Sequence, residues 1–129
     1  ESVYEESLIF SKSRSSFGAS LSSKQLIQEK LANMVSKHTK GLLLSYQLSV
    51  LLNQGISTNE QISLAKRENT RSALVSARTA REILAAQGIT LSSNVIRHML
   101  NLETVDTYEG TYDIHTLILG KSITGKSAF

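Results

Sequence analysis

Apolar residues recur every three or four positions along most of this chain, the spacing that places them on one face of an α-helix. The spacing is clearest in five stretches, which cover residues 1–12, 24–53, 58–87, 94–105 and 111–124. Short breaks that contain serine or glycine separate these stretches, and the sequence has no proline. The pattern predicts an all-α fold: an antiparallel up-down four-helix bundle, with four to five helices in all and short loops between them.

Several residues mark where the helices are expected to begin and end. Two pairs have the spacing of a capping box and would open the second and third helices: Ser22 with Gln25, and Thr58 with Gln61. Gly55 and Gly88 are expected to stop those two helices, because glycine accepts the left-handed backbone of a helix C-terminus. The serine-rich segment 13–20 is predicted to be a connecting loop. Gly41, in the middle of the second helix, is expected to weaken it by about 1 kcal/mol.

The third predicted helix differs from the others in carrying a stripe of small residues. The stripe consists of Ala65, Ala73, Ala77 and Ala80. Because small side chains let a neighbouring helix approach closely, this helix is predicted to be the most buried one of the bundle. Lys66, Arg67 and Arg71 are expected to form its solvated face.

Composition narrows the classes of function. The 129 residues suit a single domain, residues 1–129, and the absence of an initiator methionine favours a piece of a longer protein. Lys and Arg number 14 against 11 Asp and Glu, a small excess spread along the chain, so a nucleic-acid partner is not expected. With no cysteine and three widely spaced histidines, neither a disulfide framework nor a metal site is expected. No stretch is apolar enough to span a bilayer and no signal peptide is recognisable, so a membrane partner and secretion are not expected either.

The most suggestive chemistry lies in the break Thr107-Tyr108-Glu109-Gly110-Thr111, between the last two apolar stretches. A carboxylate between two apolar helices is expected to be partly buried, and burial makes a carboxylate a stronger base. His115 is expected on the following helix, close to Glu109. A second interpretation is that Glu109 and Thr111 only frame a helix N-terminus, where the helix dipole favours an anion and Thr111 serves as the cap.

The run from Asn94, NVIRHMLNLETVDTYEGTYDIHTLILGKSITG, resembles the C-terminal end of the acyl-CoA dehydrogenase flavoproteins, the glutaryl-CoA dehydrogenases above all. In that family the Glu of a Tyr-Glu-Gly-Thr signature is the base that removes the α-proton of the acyl-CoA thioester. The resemblance therefore implies this catalytic role for Glu109. It also implies that Thr111 lies near the flavin and that Tyr108 and Gly110 contact the substrate.

A second part of the resemblance concerns Arg14, Phe17, Gly18 and Gln25. They match an Arg-x-x-Phe-Gly motif and a following Gln that, in the family, reach across a dimer interface to the FAD of the neighbouring subunit. A planar guanidinium suits a pyrophosphate, and an aromatic ring can lie against the cofactor. Without the resemblance, Arg14 reads as a solvated cation and Phe17 as an ordinary loop anchor.

The sequence departs from the family near the end of the third helix. Where the family has a Gly-Gly-Asn-Gly run that lets the backbone approach FAD, this chain has Ala85, Ala86, Gln87 and Gly88. Each alanine adds a methyl group, so weaker or altered flavin binding is expected at Ala85 and Ala86. Glu82 matches a polar position that faces the cofactor. Further departures are Tyr112, where glutaryl-CoA dehydrogenases often have His, and Lys121, where they have Arg.

The resemblance implies the C-terminal domain of an FAD-dependent acyl-CoA dehydrogenase, a homodimer or homotetramer that passes electrons to an electron-transfer flavoprotein. It implies a cytoplasmic protein in bacteria or a mitochondrial matrix protein in eukaryotes. The 129 residues alone are expected to be inactive and to self-associate through faces that other domains normally cover. The alternative is a non-enzymatic, diverged or truncated bundle that acts in oligomerisation or partner binding.

Overall fold

The structure is a computed structural model that describes residues 2–128, and in that range the chain forms five α-helices and one small hairpin. The helices are α1 (Ser2–Ser13), α2 (Gln25–Asn53), α3 (Asn59–Leu84), α4 (Asn94–Thr107) and α5 (Tyr112–Thr124). The antiparallel hairpin consists of β1 (Ser15–Ser16) and β2 (Ala19–Ser20). The all-α prediction is confirmed. None of the described helices combines the length and apolarity that crossing a bilayer requires.

Helix α3 lies at the centre of the bundle and packs against each of the other four helices. Its buried positions are Ser63, Ala65, Thr70, Leu74, Ala77, Ala80, Ile83 and Leu84. Ala77 and Ala80 have no exposed surface at all, so they allow the close helix–helix approach predicted for the small stripe. The prediction that this helix is the most buried one is confirmed, because the other four helices all pack on it and it has more buried residues than any of them.

The main hydrophobic core is formed where α1, α2, α3 and α4 meet. Its buried members are Leu31, Met34, Ala80, Ile83, Leu84 and Val95. Val95 at the start of α4 is fully buried, and burying a valine contributes about 1.5–3 kcal/mol relative to leaving it exposed. Apolar side chains of α1 close the core from outside: Val3, Tyr4, Leu8 and Phe10. This core fixes the C-terminal end of α3 against the N-terminal end of α4.

The predicted start of α3 is confirmed, but the predicted start of α2 is wrong. At α3 the amide of Gln61 donates to Oγ1 of Thr58 over 3.3 Å, and the Thr58 amide donates to Oε1 of Gln61 over 2.9 Å. At α2 the N-cap is Lys24, which makes no side-chain cap. Ser22 lies in a 3-10 turn, where its hydroxyl pairs with Ser20 and its carbonyl accepts from the side chain of Gln28. Ser22 therefore does not form the predicted capping box with Gln25.

One of the three predicted roles for glycines needs correction. Gly55, with φ of +70°, follows the end of α2 as expected. Gly88 does not end α3, because the helix stops at Leu84 and a 3-10 turn, Ala85–Ile89, follows. A Cβ on Gly88 would lie 2.6 Å from the carbonyl oxygen of Arg81, so this glycine is needed for close approach. Gly41 faces α3, where a Cβ would lie 3.0 Å from Oδ1 of Asn69, so this side chain would have to shift slightly to admit it; the expected cost of Gly41 to the helix stays a prediction.

Apolar side chains remain exposed on the outer faces of the helices. On α2 they include Leu42, Leu43 and Tyr46, each more than half exposed, and on α5 they include Ile114 and Ile123. This exposure agrees with the expectation that the domain has faces suited to cover by other protein. Self-association itself stays a prediction.

Candidate functional site

The loop between α4 and α5 reverses the chain through two successive left-handed residues. Glu109 has φ of +56° and Gly110 has φ of +91°. The next residue, Thr111, is the N-cap of α5 and accepts a hydrogen bond from the amide of Ile114 over 3.3 Å, so the predicted cap is confirmed. The loop is thus a sharp turn that ends directly in a capped helix.

Every backbone carbonyl of Tyr108, Glu109 and Gly110 accepts a hydrogen bond from a side chain outside the turn. Nζ of Lys66 donates to the carbonyl of Tyr108 over 3.0 Å and to that of Gly110 over 2.5 Å. Nε2 of His115 lies 3.2 Å from the carbonyl oxygen of Glu109. A carbonyl can only accept, so Nε2 carries the proton in this contact. We call these three bonds the carbonyl clamp.

His115 is buried beneath the loop, which agrees with its expected place near Glu109. The side chain is 8% exposed, and its Nδ1 has no hydrogen-bond partner among the described residues. The ring therefore acts on the loop through Nε2 alone. Gly110 lies so close to the ring that no side chain would fit between them.

The prediction of a solvated cationic face on α3 holds for Arg71, which is exposed, but is wrong for Lys66 and Arg67. Lys66 and Arg67 are half-buried and face the loop and α5. The Arg67 guanidinium lies 4.3 Å from the centre of the Tyr112 ring and donates to the Tyr112 and Thr116 hydroxyls. Arg71 is exposed, but its guanidinium also lies over the Tyr112 ring, at 5.6 Å. The face of α3 that carries these cations lies beside the buried alanines, and α5 packs against it. The three side chains therefore contact α5 or the loop before it.

The expected burial of Glu109 is also wrong for this domain. Its side chain is exposed and makes no ion pair within residues 2–128. The helices α4 and α5 both pack mainly on α3 and do not enclose the break between them. Tyr108 beside it is 53% exposed, with Nζ of Lys66 at 6.0 Å from its ring centre. The loop backbone is therefore held tightly, while its carboxylate is free to meet a ligand or another part of a larger protein.

A second set of candidate residues lies on the connection between α1 and α2. The segment predicted to be a plain loop contains the hairpin, and its tip is Phe17 followed by Gly18, with φ of +51° and +75°. Phe17 is 97% exposed. Arg14 and Gln25, just before and after the hairpin region, are exposed as well, and Arg14 makes no ion pair within the described residues. The structure presents an aromatic ring and a cation outward on one short connection.

The third set lies at the C-terminal end of α3. Glu82, Ala85 and Ala86 are all exposed there. Oε2 of Glu82 accepts a hydrogen bond from Nζ of Lys30 over 2.8 Å, and this bond lowers the pKa of the Glu82 carboxyl below 4.5. Ala85 has φ of +51° and ψ of −126°, a backbone conformation that favours glycine. The chain keeps a glycine-type bend at this position although an alanine occupies it.

The structure brings the second and third sets towards each other but leaves Glu109 apart from both. Arg14 and Gln87, the residue after Ala86, line the same open pocket of about 540 Å³. Glu5 and Glu6 also line it, so the pocket carries both signs of charge. Within the described part of the chain, no group of three or more His, Asp or Glu side chains could hold a metal ion.

Sequence reasoning missed Lys66 and Arg67 as parts of the candidate site. Their only sequence signal is position: Lys66 directly follows Ala65 of the buried stripe, so it lies at the edge of the packed face. Which loop reaches that edge depends on contacts across 42 to 44 sequence positions, which no local pattern records.

Comparison with known proteins identifies the family. The sequence profile of the family described as "Acyl-CoA dehydrogenase, C-terminal domain" matches residues 1–124. This all-α domain therefore belongs to the C-terminal domains of the acyl-CoA dehydrogenase family.

Particular members show how far the similarity extends. The structure of a glutaryl-CoA dehydrogenase from Mycobacterium smegmatis is 44% identical, with a TM-score of 0.96 over 99% of this chain and 33% of that one. A glutaryl-CoA dehydrogenase from the same organism in complex with FADH2 is 45% identical, with a TM-score of 0.95 over 98% of this chain and 33% of that one. An acyl-CoA dehydrogenase of Bacillus subtilis is 29% identical over 97% of this chain and 33% of its own length. The chain thus spans about a third of the length of the relatives it matches.

Proposed function

We propose that this domain supplies the catalytic base of an acyl-CoA dehydrogenase, and that the base is Glu109. The proposal rests on a contrast within the loop between α4 and α5: its backbone is held by hydrogen bonds, but the Glu109 carboxylate is not. All three carbonyls of the turn accept hydrogen bonds from Lys66 or His115, whereas the carboxylate is exposed and has no ion pair within residues 2–128. A general base needs a fixed position and a carboxylate that is free to accept a proton.

The reaction removes two hydrogens from an acyl-CoA thioester and leaves a carbon–carbon double bond. The Glu109 carboxylate takes the α-proton, and the electrons of that C–H bond form the new double bond as a hydride leaves the β-carbon. Bound FAD would supply the acceptor for this hydride, and an electron-transfer flavoprotein would be the acceptor of the electrons. Because the α-proton of a thioester is only weakly acidic, positioning and electrostatic stabilisation must share the work with Glu109.

The substrate we propose is glutaryl-CoA. It is supported by the 44% identity with a glutaryl-CoA dehydrogenase over nearly the whole chain. Decarboxylation to crotonyl-CoA would follow dehydrogenation of this substrate. The exposed position of Glu109 requires walls that exclude water, and we assign these walls to the parts of the protein outside residues 1–129.

The exposed residues of this domain fit FAD. Arg14, which makes no ion pair within residues 2–128, suits a pyrophosphate, and Phe17 at the hairpin tip offers a bare aromatic face. Gln25 lies close to them in sequence, at the start of α2. Because these side chains point away from the bundle core, we propose that they contact the FAD of a neighbouring subunit in a homodimer or homotetramer.

Nearer the base, Thr111 caps α5 and is half-buried, which suits a contact with the flavin of its own subunit. Glu82, Ala85 and Ala86 are exposed at the end of α3 and would meet the adenine end of FAD. Tyr108 and Gly110, which flank Glu109, would contact the acyl-CoA.

A second candidate function is oligomerisation or partner binding without catalysis. The observation that favours it is the apolar face of α2, where Leu42, Leu43 and Tyr46 are more than half exposed. The two functions differ in flavin binding: an acyl-CoA dehydrogenase purified as the full-length protein carries FAD, and a plain scaffold does not. The 129-residue domain alone is expected to be colourless and inactive under either function.

The test is the substitution Glu109→Gln in the full-length protein, with Glu29→Gln on the exposed side of α2 as the matched control. We expect Glu109→Gln to lower turnover of acyl-CoA by about 10²-fold to 10⁴-fold, the range typical of a lost general base, with unchanged FAD content. Glu29→Gln should leave turnover and FAD content unaltered. If Glu109→Gln turned over at the wild-type rate, Glu109 would not be the base.

A further inference from the structure

Lys66 connects the centre of the bundle to both sides of Glu109. Its ammonium donates to the carbonyl of Tyr108 and to the carbonyl of Gly110, the residues immediately before and after Glu109. One cation therefore bridges the two ends of the turn. We propose that Lys66 is a positioning residue that sets where the Glu109 carboxylate stands relative to the substrate, an inference that rests on the proposed role of Glu109 as the base.

Lys66 is anchored on α3, the central helix of the domain. Its neighbour Ala65 is 6% exposed, and α3 packs against all four other helices. Hydrogen bonds from a charged donor are roughly twice as strong as those between neutral groups. The loop is therefore tied to the rigid centre of the bundle and not only to α4 and α5, whose ends it joins.

The turn needs such a tie because its own backbone does not hold it. Glu109 and Gly110 both have positive φ, and such a conformation persists in a residue with a side chain only where the surroundings impose it. His115 holds the middle carbonyl, but it lies on α5 and moves with the end of the loop that it supports. Lys66 is the member of the carbonyl clamp that comes from a different part of the fold.

Lys66 itself bonds only backbone carbonyls of the loop, so its loss would act on the reaction by displacing the Glu109 carboxylate. A shift of about 1 Å in a catalytic group can lower the rate by about 10²-fold. Tyr108 and Gly110 would supply only a small part of the contacts with the acyl-CoA, so the Michaelis constant should change little. The signature of a positioning role is therefore a fall in kcat at nearly constant KM.

The experiment compares four variants in the full-length flavoprotein: Lys66→Met, Lys66→Arg, Lys40→Met and Glu109→Gln. Lys66→Met keeps the side-chain length and removes the donors, Lys66→Arg keeps a cation, and Lys40→Met removes an exposed lysine of α2. We expect kcat per bound FAD to fall by about 10-fold to 10²-fold in Lys66→Met with KM within about threefold, and to recover in Lys66→Arg. Lys40→Met should match the wild type.

The inference is overturned if kcat per bound FAD in Lys66→Met equals that of Lys40→Met, or if KM rises while kcat is kept. Should Lys66→Met fail to fold with FAD, Lys66→Gln takes its place: it loses the charge but keeps a shorter donor, so kcat should fall less than expected for Lys66→Met but still below that of Lys40→Met. Glu109→Gln separates the two ideas. An inactive Glu109→Gln beside a fully active Lys66→Met rejects the positioning role alone, whereas a fully active Glu109→Gln rejects the proposed function.

Discussion

The ring of His115 lies directly against Gly110, so that a Cβ atom on Gly110 would stand 2.8 Å from Nε2 of His115. The same Nε2 holds the carbonyl of Glu109. The turn, its glycine and the buried imidazole thus form one packed unit, and a change in any of them alters where Glu109 stands.

Gly110→Ala is therefore expected to destabilise the protein by about 2 kcal/mol, because φ of +91° is strained for alanine and the new methyl group would displace His115. The control is Gly120→Ala in α5, where a Cβ would meet nothing within 4 Å. That change should stabilise the helix by about 0.5–1 kcal/mol. Chemical unfolding measures both, and equal effects of the two substitutions would contradict the packing of Gly110 on His115.

Ala85→Gly is expected to stabilise the protein by about 1 kcal/mol, because Ala85 has φ of +51° in a region that favours glycine. The matched control is Ala86→Gly, whose φ is not positive. There the added freedom of the unfolded chain should cost about 0.4–1 kcal/mol. Thermal unfolding distinguishes the two, and a loss of stability in both variants would argue against the strained bend at Ala85.

Thr58→Ala removes one half of the capping box of α3 and should lower the free energy of unfolding by about 1 kcal/mol. Ser22→Ala should change it by less than about 0.5 kcal/mol, because Ser22 caps no helix. The two substitutions delete similar groups from residues with the same sequence signature. A larger loss from Ser22→Ala would mean that α2 begins as the sequence alone predicts.

The pair of Lys30 and Glu82 predicts a small dependence of stability on pH. The hydrogen bond from Lys30 lowers the pKa of Glu82 in the folded state, so its stabilisation is present above the ordinary value of 4.5. It is lost as the pH falls through the lowered folded-state pKa. With side chains 36% and 46% exposed, the pair should contribute at most about 1 kcal/mol.

Lys30→Met tests the pair. The variant should be less stable than the wild type at pH 7, and the difference should vanish in acid, once Glu82 is protonated. Added salt should reduce the difference as well. A difference that persists in strong acid would show that Lys30 stabilises the fold by packing and not through Glu82.

Features that depend on residues close together in the sequence were predictable. The capping box of Thr58 and Gln61, the cap at Thr111 and the stop at Gly55 depend on residues within four positions of each other. The central place of α3 followed from the size of its side chains. The capping box predicted for Ser22 and Gln25 has the same spacing but does not form. The Ser22 hydroxyl pairs with Ser20 instead, and its carbonyl accepts from Gln28.

Features that depend on contacts between distant segments were not predictable. Lys66 looked like a solvent-facing lysine until α5 and its loop were packed against α3. Glu109 was expected to be buried because the helices on either side of it are apolar. Both helices instead pack against α3 and leave the loop between them uncovered. The positive φ at Ala85 was not predictable either, because an alanine at this position favours continuation of the helix.

The most direct test of Glu109 as the base measures the exchange of the α-proton itself. The full-length protein is mixed with an acyl-CoA in deuterated water, and the incorporation of deuterium at the α-carbon is measured for the wild type and for Glu109→Gln at equal FAD content. We expect the wild type to exchange the α-proton and Glu109→Gln to do so at least about 10²-fold more slowly. Exchange at the wild-type rate in Glu109→Gln would contradict the assignment of Glu109 as the base.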